Sequence, residues 1–429
     1  MIRISAVVAF VFCSLISAAQ VPDTLSLTRA IQIGLKNNFG VQIQKLNVEI
    51  AERNNTWGQA GAFPTINLIS GSNNSVVQRK PANPFAVAGR NISDNATGQL
   101  DVQFTLFDGF FVRLSKDRLA ELEKLSYGNA TFVIETTVQS IILGYYQALL
   151  DKERLKVLRT TQQLSKQRYD YVKLRKELGG AISFDVLQEQ NNYLTDSSNV
   201  LLQEINYRNS LRNINVLLNE DFAKTFTLVD SLQAESEQYN FEDLRVKMVS
   251  SNTNLQNQFI SQEILRNNTQ IQQSQISPSL VLNFGANGSL DWLNARFRPT
   301  ENGTLVKSTV GYLNDDQSQP VIATSFAPEY RTVAGNSYGM YANLGLRFTI
   351  SNGGQIRRAI ETSRVNEKIG QLTTDQLKRS LENDLMANYD LYNLRTQLVD
   401  IAQTKMTAAE LNLTLANERY KNGALSAID

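Results

Sequence analysis

Phe104-Thr-Leu-Phe-Asp-Gly109 and Phe348-Thr-Ile-Ser-Asn-Gly353 are two versions of one stretch, and each opens a long run without proline. Each run ends at a glycine turn. The first reads Arg175-Lys-Glu-Leu-Gly179-Gly-Ala-Ile-Ser-Phe-Asp185, and the second Arg419-Tyr-Lys-Asn-Gly423-Ala-Leu-Ser-Ala-Ile-Asp429. Gly109 and Gly179 are 70 residues apart, and so are Gly353 and Gly423. In both copies an Arg stands four residues before the turn glycine and an Asp six after it. Equal spacing over that length marks an internal tandem repeat, with residues 20–230 as the first copy and 231–429 as the second.

The proline-free runs predict helices of unusual length. From Arg113 to Leu178 the chain can run as one helix of about 65 residues, near 100 Å at 1.5 Å per residue. Val133, Thr137, Ile141 and Tyr145 mark one stripe, matched 244 residues later by Leu377, Leu381, Leu385 and Tyr389. Beyond Gly179-Gly180 a return helix is predicted from Ser183 to Leu218, giving an antiparallel coiled-coil hairpin with its tip at 179–185. After Gly423 only six residues remain, so the second return helix is absent. The second repeat is therefore expected to be truncated, as in a fragment or an interrupted reading frame.

Between the helical parts the apolar period falls to two, predicting strands at about 65–77 and 98–107, then at about 279–288 and 338–350. Leu100, Val102 and Phe104 alternate with Asp101 and Gln103, and Met340, Ala342, Leu344 and Leu346 with Asn343 and Arg347. Residues 78–97 and 289–337 read as loops. A half-buried soluble sheet shows the same alternation. Strands of 9–11 residues with charge in mid-strand also fit a membrane β-barrel, whose lumen the polar side would line. Asp101, Gln103, Asn283, Asn343 and Arg347 are the candidates for that lumen-facing set. Four strands cannot close a barrel alone, so that reading requires several chains.

Composition narrows the chemistry. The 429 residues carry a formal charge of +1, which offers no electrostatic case for nucleic acid. There is no histidine, which removes Ser-His and Cys-His nucleophile pairs and the commonest general base. The single cysteine, Cys13, lies in a segment with the features of an export signal. Arg3 precedes an apolar run from Ile4 to Ile16, and Ser17-Ala18-Ala19 offers a cleavage site, so residues 1–19 are read as a signal peptide.

The order of helix, strand, long loop, strand, long helix, glycine hairpin and return helix, repeated after an export signal, resembles the TolC-type outer-membrane efflux proteins. The residues that carry the resemblance are Asp23-Thr-Leu-Ser-Leu27, Ala62-Phe63-Pro64, the two stretches quoted first and the tip at 419–429. The resemblance implies an α+β membrane protein working as a homotrimer. Each chain would give four transmembrane strands to a twelve-stranded barrel in the outer membrane, and its long helices would form a periplasmic α-barrel. The implied function is an outer-membrane tunnel of a tripartite efflux or type I secretion system. Its partners would be a periplasmic adaptor (a membrane fusion protein), an inner-membrane transporter of RND, ABC or MFS type, and outer-membrane lipid. No cofactor and no enzymatic activity are implied.

By the same resemblance Asp185 and Asp429 are candidates for the closed periplasmic gate. Arg175, Gly179, Gly180, Ser183, Arg419, Gly423 and Ser426 are candidates for adaptor contact at the tips. Each has a plainer reading, since Asp after a turn is a frequent helix cap and Arg before one complements a helix C-terminus. Two other functions remain open at this point: a structural coiled-coil protein of the periplasm, and an exported enzyme working through carboxylates alone.

Overall fold

The computed structural model describes residues 23–80, 82, 87–233, 237–299 and 301–421. The chain divides into two compact units. Residues 55–119 and 265–366 form a strand-rich unit, and the remaining described residues form a helical one. The export segment 1–19 lies outside the described residues.

In the helical unit, β1 (Asp23–Leu25) leads into α1 (Leu27–Asn37) and α2 (Phe39–Asn54). Ser26 starts α1 because its hydroxyl accepts a hydrogen bond from Arg29 N–H at 3.3 Å, satisfying a donor the helix leaves unpaired. Asn38 ends it, and its side chain then accepts from Gly40 N–H at 2.8 Å to start α2. The long helix α3 (Phe111–Glu177) and its return partner α4 (Ser183–Leu218) follow, at the positions their proline-free runs predict. β4 (Phe226–Leu228) pairs in parallel with β1, a three-residue ladder that the sequence reading did not foresee.

The second half has the same ingredients. α5 (Phe241–Ser251) and α6 (Thr253–Ser274) are separated at Asn252, whose side chain accepts from Leu255 N–H at 2.9 Å. The last helix, α7 (Gln355–Lys421), has 67 residues, as has α3. Both long helices begin just after a glycine with positive φ, 68° at Gly109 and 67° at Gly353. The side chain before each glycine accepts from the helix that follows: Asp108 from Val112 N–H, Asn352 from Ile356 N–H. Tyr145 of α3 donates to the carbonyl of Leu25, two residues before α1. Tyr389 of α7 likewise faces the carbonyl of Tyr239, two residues before α5.

The core of the helical unit sits where β1 and β4 meet the α3–α4 hairpin. Leu25, Ala30, Ile141, Tyr145, Leu149, Ile214, Leu218 and Leu228 are all essentially buried there. Tyr145 fills the centre and shares its hydroxyl between Leu25 O at 2.9 Å and Asp230 Oδ2 at 2.7 Å. Burial, together with the Asp230 carboxylate, raises the Tyr145 hydroxyl above its ordinary pKa, so it stays a donor. A second polar pin lies further along the hairpin. Buried Asp151 of α3 accepts from Ser210 Oγ at 2.5 Å, Gln203 Nε2 at 3.2 Å and Gln147 Nε2 at 3.1 Å. Burial by itself would raise this carboxyl, but those hydrogen bonds, with Arg154 nearby, outweigh it and hold it below its ordinary range.

The strand-rich unit is built on one antiparallel sheet in the order β2 (Thr65–Arg79), β3 (Gly89–Phe107), β5 (Ser279–Phe297) and β8 (Glu329–Arg347). Three of these strands have 19 residues, far longer than the alternation predicts. The expected loop 78–97 is strand from Gly89 onward. The expected loop 289–337 shrinks to a link between Phe297 and Glu329, itself carrying the hairpin β6 (Leu305–Tyr312) and β7 (Pro320–Phe326). In the other direction, β8 ends at Arg347 and not at 350. Ser93, Asp94 and Asn95 have low strand propensity and carry no apolar alternation; they are strand because ladder hydrogen bonds from neighbours hold them so.

Two measurements test these pins. Tyr145→Phe removes the donor from one buried and one half-buried acceptor and is expected to lower stability by about 1–3 kcal/mol, read by urea denaturation. The depressed Asp151 carboxyl contributes stability that is present above its unfolded pKa and lost as pH falls through its folded one. Wild type should therefore weaken steadily below about pH 4, and Asp151→Asn should show a shallower acid slope in the same assay.

Candidate functional site

Strand register divides the four-stranded sheet into two unlike faces. Ile66, Val102, Phe284 and Ala342 form one row across it, and Leu68, Leu100, Ala286 and Met340 the next. Phe104, Leu282 and Leu344 continue this face, and Leu280 lies beside Leu346. Little of the chain covers it: Leu68 is 80% exposed and Met340 91%.

The opposite face is polar. Gln103, Asn283 and Asn343 form one row, Asp101, Gly285 and Tyr341 the next, and Asn95, Asp291 and Gly335 another, while Arg347 pairs with Ser279. All five residues read from the sequence as lumen-facing thus share one face. They are joined by residues the sequence reading missed. Tyr341 lies across Gly285 and donates to Asp101 Oδ1 two strands away at 2.5 Å, while Gln99 Nε2 donates to the same hydroxyl at 3.0 Å. Asn95 Nδ2 donates to Asp291 Oδ1 at 2.5 Å, Ser289 Oγ donates to Asp291 Oδ2 at 2.8 Å, and the Ser289 and Ser337 hydroxyls lie 2.9 Å apart. The signal that could have found them is parity, because every one has the odd numbering of Asp101. For Asn95, Ser289, Asp291 and Ser337 it stayed hidden because the upper strand halves read as loop, whereas Gln99 and Tyr341 fall inside the predicted strands.

Gly285 is what permits the Tyr341 crossing. A Cβ built there would stand 2.1 Å from Leu100 O and 2.8 Å from Tyr341 Oη. The sheet thus has one apolar and one polar face.

The hairpin tip of the helical unit is the second candidate region. The turn needs a glycine at 179, where φ is +79°. Gly180 N–H closes back on Arg175 O at 2.7 Å, and the Arg175 guanidinium donates to Gly180 O at 2.8 Å. Arg175 thus clamps its own turn. Asp185 accepts from Ile182 N–H at 3.1 Å and stabilises the first turn of α4, which opens at Ser183. Asp185 is exposed even so, as are Ser183 and the apolar Leu178, Ile182 and Phe184. Of the second tip, Arg419 is exposed on α7, while Gly423, Ser426 and Asp429 lie outside the described residues.

No family model matches the chain. It is 21% identical to Nodulation protein T of Rhizobium leguminosarum bv. trifolii over 410 residues, spanning 94% of this chain and 78% of that protein. Among solved structures it resembles the CmeC outer membrane channel of Campylobacter jejuni. The TM-score is 0.67 at 14% identity, over 94% of this chain and 78% of that one. It also resembles the outer membrane protein VceC of Vibrio cholerae, with a TM-score of 0.64 at 11% identity over 94% and 87% of the two chains. The fold is therefore that of the outer-membrane channels, as the resemblance to the TolC type implied.

The glycine argument can be tested on one face. Gly285→Val forces β3 and β5 apart and is expected to abolish a folded sheet, read as loss of the heat-modifiable band on a semi-native gel. Gly335→Ala, on the same face with nothing within 4 Å of its added Cβ, should leave that band in place.

Proposed function

We propose that this chain is one protomer of a homotrimeric outer-membrane channel of the TolC type, exporting substrates in an efflux or type I secretion system. One observation carries the reading: a four-stranded sheet with one exposed apolar face, one polar face and, among the described residues, two free edges. Three such sheets joined edge to edge give a twelve-stranded barrel. Leu68, Met340 and their neighbours then face lipid, and Asp101, Gln103, Asn283, Asn343 and Arg347 face the lumen. No described helix is long and apolar enough to cross a membrane.

The tandem repeat belongs to the same reading. It is supported by paired local devices: Asn38 and Asn252 between the short helices, Gly109 and Gly353 before the long ones, and Tyr145 and Tyr389 against the chain two residues before α1 and α5. Repeats 20–230 and 231–429 each contribute two strands and a long helix. The long helices of three chains build the wall of a periplasmic tunnel, fed by a membrane fusion protein and an inner-membrane transporter of RND, ABC or MFS type.

At the tunnel mouth Asp185 supplies a carboxylate ring with Asp429 as its partner from the second repeat, favouring cations and holding the mouth shut through basic groups. The exposed tip around Gly179, Gly180 and Ser183, with Arg175 holding its shape, receives the adaptor, and Arg419, Gly423 and Ser426 do the same at the second tip. CmeC, which this chain resembles in fold, is an outer membrane channel, which supports a conduit over an enzyme.

Native mass spectrometry of the protein extracted from its outer membrane is expected to show a trimer. Met340→Arg places a charge near the middle of the lipid-facing band and should destabilise insertion by about 2–4 kcal/mol, read as folding into vesicles against urea. A wild-type monomer in the soluble periplasmic fraction would overturn the channel and favour a structural coiled-coil protein.

A further inference from the structure

The lower end of the apolar face sits on a basic helix start. Phe107, Leu280 and Leu346 form the last row of that face, at the foot of the sheet. At about 3.4 Å per residue and a strand tilt of about 40°, the exposed Tyr338 stands about 21 Å above this row and Trp292 about 31 Å. These two aromatics bracket the upper girdle of an apolar band about 25 Å tall, which sets its lower border at the foot row. Phe110, Phe348 and Ile350 lie just beyond that row in the chain and are all exposed, as the aromatic and apolar residues of a lower girdle are.

A cavity of about 500 Å³ opens at this border. Ile276, three residues before β5, and Ile350, three residues after β8, wall it, so it lies between the feet of two paired strands. Ile360 of α7 extends the aliphatic wall, and Arg357 and Arg364 supply charge. The spacing 357, 360, 364 puts these three side chains on one helix face, with about 10 Å of rise between the arginines. Helical side chains lean toward the N-terminus, so both guanidiniums reach back toward the sheet. Glu361 is the carboxylate of the lining and meets Arg357 through Nε at 3.1 Å, while Arg364 is exposed. The first turn of α7 holds Arg357 and Arg358 and no acid, the sign its helix dipole disfavours, so a bound anion would be stabilising there. The matching cavity at the start of α3 is unlike it. There Arg113 has Asp117 beside it, and α6 and its end contribute Gln270, Gln273 and Ser277 in place of an aliphatic wall.

We propose that this cavity holds an anionic phospholipid of the periplasmic leaflet, its phosphate on Arg357 and Arg364 and the upper part of an acyl chain on Ile276, Ile350 and Ile360. The proposal rests on the membrane reading above. Charge-assisted hydrogen bonds from the two guanidiniums meet the phosphate. The aliphatic wall selects a lipid over a soluble anion, because it continues the lipid-facing strands β5 and β8 at their feet. Height agrees with this occupant: about 5–7 Å of headgroup lies beyond the hydrocarbon on each side, the depth at which α7 begins. A lipid held there fixes how deep the foot of the sheet sits in the bilayer.

The test uses the whole protein folded into phosphatidylcholine vesicles that carry phosphatidylglycerol, with retained lipid read by native mass spectrometry. Wild type should retain phosphatidylglycerol in preference to phosphatidylcholine. Arg357→Gln and Arg364→Gln should each weaken that preference roughly fivefold, as expected for one cation near a charged surface. Ile350→Ser, at an exposed position that folding does not depend on, should lower retention as well. Arg347→Gln, at the same foot but on the polar face, should change nothing. Failure to enter vesicles would sink the membrane reading and this site with it. Normal insertion with no preference for phosphatidylglycerol, or with both arginine variants unchanged, would overturn the site alone. An equal loss in Arg347→Gln would reduce the preference to general surface charge and overturn the site too. Full displacement of the lipid by inorganic phosphate would assign the arginines to a free anion and overturn the lipid.

Discussion

Backbone hydrogen bonding at the two edges of the open sheet is the constraint on which the rest depends. β2 and β8 are the outer strands of the order β2-β3-β5-β8, so each presents one row of N–H and C=O groups with no strand beside it among the described residues. In water such an edge invites association; in lipid each unpaired group costs several kcal/mol. The apolar face makes the water alternative poor, and the open edges make the lipid alternative poor for one chain alone. Closure with further copies, as proposed above, would resolve both. The polar face then needs no covering, because its amides, hydroxyls and carboxylates already bond to one another across the strands.

The helical unit meets a related difficulty by other means. Helices of 67 residues with Gln, Asn, Ser and Thr between apolar positions have no broad greasy stripe to set their pairing. Polar pins at defined heights set it instead. Asp151 joins Ser210 and Gln203 across the α3–α4 hairpin, and Tyr145 joins Asp230 and the chain ahead of α1. A hairpin slipped by one turn would bury these groups without partners, a penalty far larger than the gain from any one correct contact. Register is thereby specified without a strong hydrophobic seam. The tip is fixed on the same plan, since Arg175 and Asp185 each satisfy a backbone group of the turn or of the helix start.

Much of this was legible from residues alone because it is local. Missing prolines allow long helices, Gly179 at positive φ ends one, and Asn38 or Ser26 starts another; each acts within four or five positions of itself. The lower halves of the strands were legible because apolar residues alternate there. So was the shared side of Asp101, Gln103, Asn283, Asn343 and Arg347, which parity sets once a segment is strand.

What tertiary structure decided lies where polar and small residues dominate the chain. Residues 89–97 and 329–337 offer Asn, Ser, Thr and Gly, the composition of a loop, and they are strand because partners across the ladder supply their hydrogen bonds. Nor could spacing reveal that Tyr341 reaches Asp101 over Gly285, or that Tyr145 meets Asp230. Those pairs are set by register and packing between segments 240 and 85 residues apart. The sequence by itself determined where helices start, stop and turn, because those choices are made by neighbours along the chain. Which faces meet, how far strands run and where polar atoms find partners were left to the fold, because hydrogen bonds between distant segments exist only once the segments are side by side.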